Sequence, residues 1–310
     1  MGNLTVHELR KLLGELKHLK QLRLNRKNKI PFNIKRQYGR KRLEKFVKSF
    51  WDGGYIYLET NDYLYIPPIS KTNTLWRLIE PYIPEQVIPK FCKPGNIVMD
   101  IGANIGEWTI YMAKMVGEFG RVYSFEPHSI INQALKKTVL VNNFPQVSIS
   151  ENALSNQIGE SNLIIPYDSH RMMIAGESRI GLENESWNIG ADVASTKTVK
   201  VKTTTLDYFS SKNNIKQLDF VKIDVEGNEH LILEGGQDTF RNHKPTLILE
   251  GGCEKKEDRE KISALLQSWG YDIVGIVLPY GIAEVQWAQY IALSNPFETK
   301  YPVNILFLPS

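Results

Sequence analysis

Cysteine is almost absent from this chain of 310 residues: Cys92 and Cys253 are the only two, they lie far apart, and their spacing matches no zinc site. A disulfide framework is therefore excluded. Long apolar runs are missing too. The longest uncharged one, IVGIVLPYGIA at 273–283, contains Pro and Gly and is too short to cross a bilayer. The opening MGNLTVHELRKLL places charges where a secretory leader needs an apolar core, and Val6 stands where a myristoylation motif wants Ser or Thr. No internal repeat or low-complexity tract is visible. These absences are those expected of a soluble, cytoplasmic protein without a transmembrane segment.

Acidic residues are scarce in one place only. Residues 1–48 carry 15 Lys or Arg against 3 Glu, a net of +12, which leaves −8 for the remainder of a chain whose total is +4. Leu9, Leu12, Leu16 and Leu19 recur at helical spacing, so 1–50 reads as a basic amphipathic extension. Its leucines suit packing on its own domain or self-association into a homo-oligomer. Its lysines suit an anionic surface such as lipid, polysaccharide or nucleic acid. Residues 51–90 read as a tyrosine-rich hairpin, with Asn61-Asp62 at its turn, and a helix leading into the core.

From residue 91 to 310 the pattern becomes regular. NIVMDIG, RVYSFEP, VSISENAL, DFVKIDVEG, PTLILEGG, YDIVGIV and PVNILFLPS read as seven strands, alternating with amphipathic stretches. One of those stretches, EHLILEGGQDTFRNH, is expected to be a helix despite its double glycine. Such alternation predicts a doubly wound α/β fold, its mostly parallel sheet covered by helices on both faces. Ligands of these sheets sit at the carboxyl ends of the strands. Asp100, Glu126, Asn152, Asp224 and Glu250 all fall at such ends.

The turn after the first strand, DIGANIG, resembles a dinucleotide loop but lacks its G-x-G-x-x-G spacing; the glycines are Gly102 and Gly106. Glu107 in the first helical turn would repel a diphosphate. S-adenosylmethionine has no phosphate and a zwitterionic end. Loop amides and the helix start can receive its carboxylate, and Asp100 its ammonium. Glu126 is placed for both ribose hydroxyls, and Asn152 with the amide of Ala153 for adenine.

The blocks VMDIGANIGEWT, VYSFEP, ALSNQIGE, TTTLDYF, DFVKIDVEGNEHLILEGG, PTLILEGG and NILFLP together resemble the FkbM family of methyltransferases, from about residue 76 onward. The resemblance implies a class I methyltransferase (Rossmann-like) fold and transfer of a methyl group to an oxygen, often of a sugar or polyketide. It supports Asp100, Gly102, Asn104, Gly106 and Glu126, with Ala103 and Pro127 beside them, as cofactor contacts. Asp224, Glu226 and Glu229 form its second signature block, with Asp224 also bordering the cofactor.

An alcohol acceptor must lose a proton, so a base is needed within reach. Asp224 is the first candidate, Glu250 and Glu229 the next; Glu226 reads as a helix N-terminal acid, and His128 and His230 as packing or surface residues. No ligand spacing forces a metal, and none is expected. The long segment 166–199, with His170, Arg171, Met172, Met173, Arg179 and Trp187, reads as an insertion that shapes acceptor choice. The expected acceptor is a hydroxyl of a sugar, glycan or related natural product. A nucleic-acid methyltransferase using residues 1–48, or a scaffold without chemistry, are the alternatives.

Overall fold

The computed structural model describes residues 52–58, 61–70, 84–181, 193–252, 254–278, 281–292 and 303–310. The basic segment 1–50 and Trp187 lie outside the described residues.

The chain opens with a hairpin, β1 (Gly54–Tyr57) and β2 (Tyr63–Ile66), antiparallel in register as the turn at Asn61 requires. Asn61 takes φ 67°, a conformation Asn tolerates better than most residues. After α1 (Pro84–Phe91) the sheet begins: β3 (Ile97–Ile101), α2 (Glu107–Val116), β4 (Arg121–Phe125), α3 (Ser129–Val141) and β5 (Val147–Ser150). There follow β6 (Ala153–Leu154), β7 (Gly159–Asp168), β8 (Arg179–Ile180), β9 (Val193–Thr204) and α4 (Leu206–Lys212). The second half holds β10 (Phe220–Ile223), α5 (Glu229–Glu234), α6 (Gln237–His243), β11 (Thr246–Gly251) and α7 (Lys256–Ser268). The remaining elements are β12 (Tyr271–Leu278), β13 (Gly281–Glu284), α8 (Trp287–Ala292) and β14 (Val303–Pro309).

Eight strands form the main sheet in the order β13-β12-β14-β11-β10-β3-β4-β5. Strands β5, β4, β3, β10 and β11 are parallel, and β14 is antiparallel to both of its neighbours. The chain runs outward from β3 to β5 and then returns to β10 on β3's other side. The switch point, where such sheets hold ligands, is thus the β3/β10 boundary. Side chains alternate between faces. Met99, Ile101, Val221, Ile223, Leu247 and Leu249 pack in one cluster with Ile232, Phe240 and Ile262 of the later helices. Val98, Phe220 and Ile248 pack in another with Trp108, Met112 and Val116 of α2. Each such fully buried side chain contributes roughly 1.5–3 kcal/mol.

Four expectations are corrected. The sheet has eight strands, because β13 adds an edge to the seven read from sequence. The third strand stops at Ser150, and 153–154 instead joins a second, four-stranded sheet of order β6-β9-β7-β8. The described part of the 166–199 segment is therefore tied to this sheet: β7 runs to Asp168, β9 starts at Val193, and Met173 is buried in the core. Lastly, the helix over 229–243 is two helices broken at Gly235-Gly236.

The second sheet and the hairpin cover the starts of α2 and α3, where Leu163, Ile165 and Met173 join Ile105, Ile110 and Ile131. Asn142 ties the hairpin down by accepting from the Tyr63 amide and donating to its carbonyl. Lys114 of α2 pairs with Asp62 at 2.9 Å. The hairpin tyrosines serve this packing: Tyr65 lies under the Lys137 ammonium and against Tyr55.

The double glycine has a steric cause. A Cβ on Gly235 would lie 2.1 Å from the Ser155 carbonyl oxygen, and one on Gly236 2.8 Å from Leu206. The break lets the chain press against the start of the second sheet. Gly235→Ala is expected to lower stability by about 1–3 kcal/mol in urea denaturation, as overpacking of a tight contact does.

Candidate active site

At the switch point two loops touch, one after β3 and one after β10. Gly102 takes φ 77°, and a Cβ there would come within 1.8 Å of the Asp224 carbonyl oxygen. Asn104 (φ 50°) and Gly106 (φ 99°) complete the turn into α2, and a Cβ on Gly106 would meet Leu135 at 2.7 Å. The turn's amides are spoken for. Those of Gly102 and Ala103 donate to the Phe125 carbonyl and that of Gly106 to Ala103. The Asn104 amide donates to Glu126 Oε2 and the Ile105 amide to Asn104 Oδ1. Of the expected carboxylate contacts, the amides of residues 102–106 are engaged within the protein, which leaves the start of α2 as the place for them.

Glu126 is buried after β4, with Oε2 on Asn104 and Oε1 on the His128 amide at 2.9 Å. Burial pushes its carboxyl up to about 7 against those two hydrogen bonds. Pro127 is half-buried beside it. His128 caps α3 by accepting from the Ile130 amide, and burial lowers its ring to about 4, so it is neutral and structural. Asn152 sits in the bend between β5 and β6, its amide on Ser150 Oγ, while Ala153 is buried and pairs with Thr203.

Asp100 is fully buried. Its Oδ2 accepts from Thr109 Oγ1 at 2.6 Å, and its Oδ1 has no hydrogen-bond partner. Burial raises its carboxyl although Lys222 and Thr109 pull it down. Lys222 is the residue that sequence reasoning passed over. It is the register partner of Asp100 across β3 and β10, is 3% exposed, and lies with Nζ 2.7 Å from Asp224 Oδ2 and 4.0 Å from Asp100 Oδ1. The Trp108 ring is 5.5 Å away. Burial pulls the ammonium toward neutrality, but Asp224 and Asp100 outweigh it and hold the charge. A lysine inside the otherwise apolar FVKI was the available signal, because a buried lysine needs a carboxylate within reach.

Asp224 keeps 29% of its side chain exposed. Oxygen atoms of Asp224, Glu226 and Glu250 lie within 4.8 Å of one another. Burial, then the charges of Asp224 and Glu226, push the Glu250 carboxyl well above its ordinary range. Glu226 takes φ 58° in the loop after β10. Glu229 does not join this group. It is 1% exposed, and its Oε1 accepts from the Val225 and Gly227 amides at 3.1 and 3.3 Å. Its expected catalytic place is corrected: it shapes the loop that presents Asp224 and Glu226. Burial and Glu254 raise it to about 8. His230 pairs loosely with Asp258 at 3.6 Å. Asn228 donates to the Ile180 carbonyl at 2.7 Å, which sets β8, with half-buried Arg179, beside the acidic loop. His170 and Arg171 are exposed at the far turn of β7.

The sequence profile of the methyltransferase FkbM domain matches residues 100–273, more than half of the chain and all of this site. The chain belongs to the FkbM methyltransferase family. Methyltransferase activity follows, with S-adenosylmethionine as methyl donor. Among similar proteins, methyltransferase sdnD of Sordaria araneosa is 23% identical over 197 residues, 58% of this chain and 75% of its own. The ribosomal RNA large subunit methyltransferase E of Bdellovibrio bacteriovorus is 34% identical over 79 residues, 26% of this chain and 38% of its own. A solved FkbM methyltransferase from Methylobacillus flagellatus aligns at 15% identity with a TM-score of 0.45, covering 76% of this chain and half of that one. No helix among the described residues of the methyltransferase is long and apolar enough to cross a membrane.

Two predictions follow from the buried charges. Glu126 and Glu229 hold a proton in the fold at a pH where the unfolded chain, near 4.5, has lost it. Folded carboxyls raised in this way make stability fall as pH rises toward about 8. Thermal melts are expected to drop between about pH 5 and 8, and Glu229→Gln to flatten the upper part of that drop. Lys222→Met leaves Asp100 and Asp224 without their cation and is expected to cost about 3–5 kcal/mol in urea denaturation. Adding Asp224→Asn to it should return part of that loss.

Proposed function

We propose that the chain transfers a methyl group to a hydroxyl of a sugar, glycan or related natural product, with Asp224 as the base. The carrying observation is the Asp224 carboxylate, part-exposed at the carboxyl edge of the sheet and fixed by the buried Lys222 ammonium. When bound, S-adenosylmethionine supplies the methyl as an electrophile attached to sulfur.

The residues present suit that cofactor. Asp100 Oδ1 accepts no hydrogen bond, though it faces the Lys222 ammonium at 4.0 Å, and is the oxygen suited to a donor ammonium. Glu126 uses each oxygen for a single backbone amide, so both keep a lone pair for a ribose hydroxyl. Gly102, Ala103, Asn104 and Gly106 make the close turn between them, Pro127 borders it, and Asn152 with Ala153 flanks it beyond β5. Catalysis then rests on holding donor and acceptor in contact and on removing one proton. Lys222 keeps Asp224 ionised. Glu250, its carboxyl raised by burial and by the charges of Asp224 and Glu226, holds a proton more readily than an ordinary glutamate and lies beside Asp224. Asp224 takes the acceptor's hydroxyl proton as the oxygen attacks the methyl carbon.

The alternative acceptor, a nucleic acid, is disfavoured by charge. The acids of the loop after β10, Asp224 and Glu226, repel a phosphate backbone at the reacting edge. The acceptor is more naturally neutral, and β8 with Arg179 is the wall it would lie against.

Calorimetric titration of S-adenosylhomocysteine tests the cofactor half of this reading. Wild type is expected to bind, Glu126→Ala to bind at least tenfold more weakly, a loss of about 1.4 kcal/mol, and Asp224→Asn to bind nearly as wild type. Labelled methyl transfer to a glycan panel tests the other half, and Asp224→Asn should lower it by roughly 10²–10⁴-fold. No binding by wild type at millimolar ligand would sink the assignment.

A further inference from the structure

We infer that Glu254 is a positioning residue for the reaction: with Glu229 it forms a buried acid pair that fixes the loop after β10 against the loop after β11. The inference rests on the reading of Asp224 as base, since Asp224 and Glu226 stand on the first loop and Glu250 stands at the end of β11, which runs into the second. Both members of the pair are buried, Glu229 at 1% and Glu254 at 6% exposure. Each uses one oxygen on its own loop. Glu229 Oε1 accepts from the Val225 and Gly227 amides, and Glu254 Oε2 accepts from the Gly252 amide at 2.7 Å.

The second oxygens lie in the interior. Glu229 Oε2 is buried and accepts no hydrogen bond. Glu254 Oε1 lies back over the end of β11, 3.7 Å from where a Cβ on Gly251 would stand. The two carboxyls feel each other: after burial, the Glu254 charge is the main cause that raises Glu229 to about 8. Helices α7 and α8 frame them. Arg259 of α7 is 5% exposed; it donates through Nη1 to the Glu254 carbonyl at 2.8 Å and through Nε to the Ile291 carbonyl at 3.3 Å. Tyr290, next to Ile291 on α8, is 1% exposed, and its phenol is raised well above its ordinary range by burial and then by Glu254 and Glu229. Ile232 and Leu233 of α5 pack in one cluster with Ile262 and Leu266 of α7, which holds the two acid-bearing segments side by side.

In a dry interior one guanidinium offsets one carboxylate, not two, so the second acid keeps its proton. At neutral pH that acid is Glu229, and Glu254 carries the charge. A neutral carboxyl still accepts from both loop amides, and its proton is a donor for the anion beside it. As pH rises through about 8, Glu229 ionises, the two carboxylates repel across a poorly solvated gap, and the loops are pushed apart. The other groups that face the pair leave this sign unchanged. Glu250, at the end of β11, adds repulsion once it ionises. Tyr290 stays neutral in this range, and Arg259 stays charged. His230, the neighbour of Glu229 on α5, is held low by burial and faces Asp258 of α7, itself paired with Lys261. The spacing of the reacting acids therefore depends on the protonated state of a pair that touches no substrate.

The test is backbone amide NMR of the full chain, titrated from below to above pH 8 with no ligand present. It can therefore fail while S-adenosylhomocysteine still binds, or succeed while it does not. The Val225 and Gly227 amides are expected to shift with a midpoint near pH 8, and the Gly252 amide, on the other loop, to shift with the same midpoint. Glu229→Gln keeps an acceptor for both loop amides and should abolish the transition at Gly252. Glu254→Gln should lower the midpoint at Val225 and Gly227 by about one pH unit or more. Acids that only cap their own loops would give separate responses, with Gly252 following Glu254 alone. A stationary Gly252 amide, a Val225 midpoint in the ordinary carboxylate range, or an unchanged midpoint in Glu254→Gln overturns the inference. The wild-type titration needs no variant, so the test holds if either Gln variant fails to fold.

Discussion

One buried ammonium organises this molecule's chemistry. Lys222 enters the sheet at its centre, where neighbouring strands are apolar on both faces and no water competes for its charge. Its two partners, Asp100 and Asp224, end the two strands that diverge at the switch point. Removing any member would leave an uncompensated charge in a dry interior, so the three are held together by the cost of separating them. The donor side of the cleft, through Asp100, and the acceptor side, through Asp224, are thereby referred to a single atom.

Around that triad the loops are packed closely enough that side chains are excluded at chosen points. Gly102 admits the Asp224 carbonyl, Gly106 admits Leu135, and Gly235 admits Ser155. At Gly102 and Gly235 two distant chain segments meet backbone to backbone, and at Gly106 a side chain of α3 closes onto the turn. The result is a site whose acids stand on short, internally hydrogen-bonded loops rather than on free ones.

Much of this could be read from sequence, because its signals are local. The apolar runs ending in Asp100, Glu126, Asp224 and Glu250 mark strand ends by period and length alone, and the structure brings all four to the carboxyl edge. What could not be read depends on distance. Nothing in EHLILEGG tells whether Glu229 points outward or back at its own loop, and the two amides that claim it are known only once the loop is closed. The polar, lysine- and threonine-rich β9 has little apolar alternation to betray a strand; it forms because β7 pairs along it for nearly its whole length. Lys222 hid for the opposite reason, an ionic residue inside a stretch read as core. The cluster of Asp224, Glu226 and Glu250 draws on three separated positions, one of them in a left-handed backbone conformation that no spacing rule anticipates.

The placement of β14 bears on how the chain assembles. It lies between β11 and β12, which precede it in the chain, and is antiparallel to both. During synthesis β11 and β12 therefore emerge with a gap between them that only a later segment can fill, and until then each exposes an unpaired, apolar edge. In the half of the sheet from β3 to β5 the strands pair in the order they appear, and only the inner edge of β3 waits for a later strand, β10. Vectorial folding thus divides the molecule along the same β3/β10 boundary at which its catalytic groups meet, with the acceptor half the slower to mature.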